Sequence, residues 1–152
     1  MTIEEKLADM GLALPEAAAP VASYVPAMEA GGLLHISGQL PFIDGNLVTG
    51  KLGTDVTLEK GQAAARASAL MVLAQVKKAL GGDFSRLKRI VKLGVFVASD
   101  PGFTDQPKVA NGASDLMEAV LGDAGKHARS AVGVAVLPLD AAVEVEAIVE
   151  LA

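Results

Sequence analysis

Apolar residues recur at helical intervals in two long stretches of the chain and alternate with polar ones in several shorter stretches. From Thr54 or Asp55 to Leu80 the positions Ala65, Ala69, Val72, Leu73, Val76 and Leu80 share one helical face, and Gly81-Gly82 supplies the stop. A second helix is expected from about Thr104 to Val120, burying Val109, Ala113, Leu116, Met117 and Val120 and ending near Gly122. A short N-terminal helix is signalled by Thr2-Ile3-Glu4-Glu5, which has capping-box spacing. Ile3, Leu7 and Met10 lie on its inner face, and Gly11 closes it. The Ala- and Pro-rich stretch Pro15 to Pro26 reads as an extended connection.

Strands fill the rest. Gly31-Gly32 opens an apolar strand from Leu33 to Leu40, interrupted by Ser37-Gly38-Gln39, and Asp44-Gly45-Asn46 has hairpin-turn chemistry before a short strand at Leu47 to Thr49. Arg89 to Val97 follows the first long helix and ends at Asp100-Pro101-Gly102. Two strands close the chain, about Ser130 to Leu137 and Ala142 to Leu151. The order after the N-terminal helix is β-β-α-β-α-β-β, which predicts an α+β domain with two long helices on one face of a single sheet. No internal boundary divides residues 1–152, and residues 1–14 form an N-terminal helical extension.

If the last two strands are a hairpin turning between Leu139 and Asp140, opposed residues sum to 279. Val132, Val134 and Val136 then share the core face with Val143, Val145, Ala147 and Val149. Arg129, Ala131, Gly133 and Ala135 share the other face with Glu144, Glu146 and Glu150. That small, acidic face leaves room for a ligand or another subunit. In this register Glu150 opposes Arg129, while Arg129 and Glu144 stand about six positions apart, roughly 20 Å. Two readings of Arg129 stay open: a pair with a nearby glutamate, or a planar fork of donors for a small carboxylate. If Arg129 and Glu144 cooperate, a neighbouring subunit must bring them together.

Composition narrows the chemistry. Of 152 residues, 51% are hydrophobic, yet there is no Trp, one Tyr and four Phe, so the core is built from Ala, Val, Leu and Ile. The absence of Cys removes disulfides and thiolate chemistry. His35 and His127 lie far apart and outside metal-ligand spacing, so no metal is expected. A net charge of -5 argues against a nucleic-acid surface, and Arg86, Lys88, Arg89 and Lys92 read as a solvated edge. No apolar run is long enough for a membrane span, and the N-terminus lacks the pattern of a secretory signal. The expectation is a cytoplasmic protein that uses no cofactor. No phosphate loop and no serine-hydrolase set accompanies Ser37 or Ser130.

Several segments together resemble the reactive intermediate deaminase (RidA) family, also called YjgF-like or endoribonuclease L-PSP. They are Ile36-Ser37-Gly38-Gln39-Leu40-Pro41, Val91 to Val97, Val109-Ala110-Asn111, Ala128-Arg129-Ser130-x-Val132, Leu137-Pro138 and Val143 to Ile148. The likeness runs from about Tyr24 to Ile148. It implies a chorismate-mutase-like fold assembled as a homotrimer with clefts between subunits, and hydrolysis of 2-imino or enamino acids to 2-keto acids and ammonia. By position it implies that Arg129 grips the substrate carboxylate and Glu144 holds or activates water. Tyr24 walls the cleft, Gly38 lines it with backbone, and Asn111 makes a polar contact, with Ser37 and Ala131 beside them. Ala131 stands where many members carry a cysteine, and Gly125-Lys126-His127 replaces an aromatic and a proline. These departures mark a side branch. They leave a second function class in view, a non-catalytic trimer that binds small carboxylates, and a third, a different activity on keto or imino acids.

Overall fold

The structure is a computed structural model that describes residues 1–20 and 22–152; Val21, within the expected connection, lies outside the described residues. Helix α1 (Ile3–Asp9) begins with the expected capping box. Thr2 Oγ1 accepts from the Glu5 N–H, and the Glu5 carboxylate accepts from the Thr2 N–H at 2.7 Å. Seven residues cannot hold a helix alone in water, so tertiary contacts must supply its stability. Leu7 is buried in the core, Lys6 Nζ donates to the Val120 carbonyl, and Glu4 pairs with Lys77 at 2.9 Å. Met10, expected on the inner face, is exposed because the helix has already ended there.

Strand β1 (Ala27–Ala30) and strand β2 (Leu33–Gln39) form a hairpin whose two linking residues, Gly31 and Gly32, both take positive φ. The sequence reading took these glycines as a strand opening and missed β1, whose Ala-Met-Glu-Ala carries no alternation. Strands β3 (Phe42–Ile43) and β4 (Asn46–Leu47) form the small hairpin expected around Asp44-Gly45. Helix α2 (Leu58–Ala79) starts later than predicted. Residues 51–56 are held in a turn where Asp55 accepts from the Lys51 N–H, and Thr57 then caps the helix. Strand β5 (Leu87–Ala98), helix α3 (Gln106–Leu121), strand β6 (Ala128–Val134) and strand β7 (Val143–Leu151) complete the chain.

The five-stranded sheet has the order β1-β2-β7-β5-β6, with β5 and β6 parallel and the other pairs antiparallel. Helices α2 and α3 pack together over one face of this mixed sheet. Val72, Leu73 and Val76 of α2 and Val109, Leu116 and Met117 of α3 meet Val95, Val97, Val143, Val145 and Val149 in one core. The helices approach closely where Gly112 faces Gln62; a β-carbon on Gly112 would come 2.8 Å from the Gln62 carbonyl carbon. No helix among the described residues is long and apolar enough to cross a membrane.

The predicted hairpin of the last two strands does not form, because β5 runs between them. Leu93 has Arg129 on one side and Ala147 on the other, and Phe96 lies between Val132 and Glu144. Arg89, not Arg129, faces Glu150. The inserted strand also reverses the faces assigned to β6. Arg129, Ala131 and Gly133 share rows with buried Leu93, Val95 and Val97 on the helix side, while Val132 points to the uncovered face and is 46% exposed. Glu144 and Glu146 do lie on the uncovered face, with Phe96 and Gly94 beside them.

Candidate functional site

Two polar clusters stand out, one on each side of the sheet. The first is built on the start of β6. A tight turn, residues 122–125, lies against the end of α3; a β-carbon on Gly125 would come 2.9 Å from the Glu118 amide nitrogen. This close approach brings Arg129 under α3. Arg129 Nη1 donates to Asn111 Oδ1 at 2.9 Å and to Ser114 Oγ at 3.2 Å. His127 completes the row, with Nε2 2.8 Å from Ser114 Oγ and Nδ1 on the Gly125 carbonyl. Since a carbonyl only accepts, Nδ1 carries a proton; in the neutral ring Nε2 then accepts from the Ser114 hydroxyl, whose oxygen accepts from Arg129.

Both partners of Arg129 are therefore neutral, and among the described residues no carboxylate pairs with it. The bonds use Nη1 alone, so among the described residues Nε and Nη2 have no hydrogen-bond partner and the charge has no carboxylate beside it. The edge these two nitrogens form matches a carboxylate bidentately. The glutamate-pair reading fails on this geometry. Ala131 lies two residues along the same face, so the surface beside the guanidinium is small and apolar.

The second cluster is built on a bulge in β2. Ile36 pairs with Ala147 but Gln39 pairs with Val145, so three steps on β2 match two on β7 and the backbone buckles at Ser37-Gly38. The buckle presses Gly38 against Glu144; a β-carbon there would lie 2.7 Å from Glu144 Cδ. Only glycine leaves the carboxylate its place. Glu144 is half-buried, and burial first, then the charge of Glu146, pushes its carboxyl above the ordinary glutamate range. Ser37 ties down the preceding segment. Its hydroxyl donates to the Val25 carbonyl at 2.8 Å and its N–H to the Pro26 carbonyl, which sets Tyr24 at the rim of the same hollow as Gly38 and Glu144.

Of the residues expected at the site, Arg129, Asn111 and Ala131 thus gather on one side, and Tyr24, Ser37, Gly38 and Glu144 on the other. Glu144 is two strands and three rows from Arg129, about 14 Å at usual strand spacing and rise, and faces the opposite way. The earlier 20 Å came from the wrong register. Sequence reading missed Ser114, Gln39 and Gln75. The signals were present: Ser114 follows Asn111 by three residues, one turn of helix, and Gln75 is a lone amide on the apolar face of α2. His127, which the sequence reading considered only as a metal ligand, is part of the Arg129 support.

A sequence profile described as "YjgF/chorismate_mutase-like, putative endoribonuclease" matches residues 4–151. Protein TCP17 of Trypanosoma cruzi is 56% identical over 151 residues, covering 98% of this chain and 94% of that one. A 2-iminobutanoate/2-iminopropanoate deaminase of Dermatophagoides farinae is 26% identical over 138 residues, 91% of this chain and 93% of the relative. The solved structure of Atu1372 from Agrobacterium tumefaciens, described as having unknown function, superposes with a TM-score of 0.91. It is 49% identical, with 99% of this chain and 92% of that one covered. The chain belongs to the YjgF/RidA-like family and has its chorismate-mutase-like α+β fold.

Proposed function

We propose that the protein hydrolyses 2-imino acids, or their enamine tautomers, to 2-keto acids and ammonia in clefts between the subunits of a homotrimer. One observation carries this reading: an uncompensated arginine fork and a half-buried carboxylate of raised pKa lie on opposite faces of one sheet. Each is half of a site, and a second copy is the simplest source of the other half. The uncovered face supports assembly. Met28, Val132, Val136 and Leu139 are between 46% and 63% exposed, an apolar surface that favours burial. The deaminase among the relatives supports the chemistry.

In this mechanism the substrate carboxylate accepts two parallel hydrogen bonds from Nε and Nη2 of Arg129. The Asn111 amide, whose oxygen is fixed by Arg129, offers its N–H beside them. Glu144 of the neighbouring copy accepts a proton from water as the water oxygen bonds to C2. The C=N electron pair moves to nitrogen, which takes that proton from Glu144. The resulting C2 hydroxyl then gives its proton to Glu144 and on to nitrogen. The C2–N bond breaks, ammonia leaves, and a 2-keto acid remains. Water supplies the oxygen and both protons, so no redox step enters. A carboxyl pKa raised above the ordinary glutamate range suits a group that must both take and return a proton.

The test is to generate imines with an amino-acid oxidase and follow their loss in the presence of semicarbazide. Faster keto-acid release with the protein than without supports the proposal. Tight binding of keto acids with no acceleration would instead assign the site to a non-catalytic carboxylate-binding trimer.

A further inference from the structure

The two polar clusters are held in different ways. On the Glu144 side a buried amide fixes backbone. Gln75, 2% exposed, donates to the Ala18 carbonyl at 2.8 Å and to Gln39 Oε1, and the Gln39 amide donates to the Ser37 carbonyl. On the other side the chain fixes a charged side chain. The Arg129 guanidinium is held at Nη1 by Asn111 and Ser114, one turn apart on α3. Ser114 is held in turn by His127, and the His127 ring by the Gly125 carbonyl. That last contact depends on Gly125, which lets the turn of residues 122–125 close on Met117 and Glu118.

We infer that Ser114 and His127 are positioning residues that act on Arg129 in series. His127 supplies the acceptor that turns the Ser114 hydroxyl, and the oxygen so oriented holds Nη1 while Nε and Nη2 stay available to a ligand carboxylate. The inference rests on the proposed role of Arg129 as carboxylate anchor and adds two residues to it. With the ring neutral, every bond runs one way, from Arg129 to Ser114 to His127 to the Gly125 carbonyl. Each inner group accepts from one neighbour and donates to the next. An acceptor at position 127 is therefore required. Without it, the hydroxyl of a mid-helix serine turns to the carbonyl four residues earlier, here Ala110, and its oxygen leaves Arg129. The neutrality of the partners matters as well. A carboxylate in place of Ser114 would cancel the charge that an anionic ligand needs. Ser114 and His127 order the guanidinium without neutralising it, and a long side chain ordered beforehand lowers the entropy lost on binding.

The test is calorimetric binding of pyruvate to the full-length protein and to Ser114→Ala, His127→Leu, His127→Gln and the Ser114→Ala/His127→Leu double variant, with the melting of each recorded. Ser114→Ala removes a hydrogen bond to a charged group, so affinity should fall about tenfold. Alanine is the better helix former and offsets the lost bonds, so melting should stay within about 4 °C of the parent. A serine that served only the fold would lower the melting temperature and leave affinity alone. His127→Leu, which has no acceptor, should lose nearly as much affinity. In His127→Gln, Oε1 accepts as Nε2 does, and affinity should return to within about threefold of the parent. The double variant should bind no more weakly than Ser114→Ala, because both changes break one chain. Losses that multiply in the double variant, equal affinities for His127→Leu and His127→Gln, or unchanged affinity in Ser114→Ala overturn the inference. The expected losses in a protein that turns over no imine support the inference and overturn the deaminase reading. A parent that binds no pyruvate overturns the anchor and the inference together.

Discussion

A single methyl group at Gly38 should separate function from stability. In Gly38→Ala the new carbon would sit 2.7 Å from Cδ and 2.9 Å from Cγ of Glu144, well inside contact distance. One of the two must give way. The carboxylate is the end of a flexible, half-exposed side chain, so Glu144 swings out and the backbone stays. Forced overpacking of a core costs about 1–3 kcal/mol, and this relief should keep the cost below that range. The melting temperature should therefore fall by no more than about 4 °C. Turnover should fall by about a hundredfold or more, because the proton acceptor has left the water it orients. Gly112→Ala is the control. There the obstructing atoms are Gln62 backbone, with the carbonyl carbon at 2.8 Å and Cα at 3.1 Å, and two helices must part. That variant should lose the full 1–3 kcal/mol or more. Calorimetric melting and imine hydrolysis on the same preparations read both effects. A Gly38→Ala protein with parental activity, or one as destabilised as Gly112→Ala, would refute the reasoning.

Arg129→Lys keeps the charge but loses the fork and the bonds to Asn111 and Ser114. Affinity for keto acids should drop about ten- to a hundredfold, and unchanged calorimetric binding would reject the anchor role. The raised pKa of Glu144 means that folding favours its neutral form. Its contribution is full below the ordinary glutamate pKa and is lost as pH rises through the higher folded value. Glu144→Gln should accordingly melt higher than the parent at neutral pH, with the gain vanishing in acid; a gain independent of pH would contradict this. Glu146→Gln removes the like charge beside Glu144 and should move the acid limb of kcat/KM to lower pH. A stationary limb would show that Glu144 is not the titrating group.

Much of the fold is legible because helix and strand periods differ. The apolar spacing of α2 and α3 and the valine–glutamate alternation of β7 each allow one reading. Strand order is another matter. A period of two tells which residues of β6 share a face, but not which face is covered or which strand lies alongside. Leu139 and Asp140, both at positive φ, look like a hairpin turn, and they do reverse the chain. The reversal carries it across the end of β5, whose Ala98 and Ser99 amides donate to the Ala142 and Val134 carbonyls. Hydrophobicity then misled the choice of face. Val132 was assigned inward because it is apolar, yet the helix side of β6 carries Arg129, Ala131 and Gly133, and at Gly133 even a β-carbon would come 2.7 Å from Ser99 Oγ and 2.8 Å from Gln106 Nε2. The site residues were found by their likeness to a family motif. Their supports, Ser114, His127 and Gln75, depend on contacts between distant segments, which spacing along one chain does not encode.

The central claim is that Arg129 of one subunit and Glu144 of the next form a single site, and mixing two inactive proteins tests it directly. Arg129→Ala lacks one half and Glu144→Gln lacks the other. In trimers co-refolded from equal amounts, an interface between neighbours regains both groups when an Arg129-bearing chain meets a Glu144-bearing one. In a head-to-tail ring this happens at about one interface in four. Imine hydrolysis should recover to about a quarter of the parental rate in the whole co-refolded preparation, with the mixed trimers in it verified by native mass spectrometry. Mixed trimers that remain as inactive as either variant alone would contradict the account.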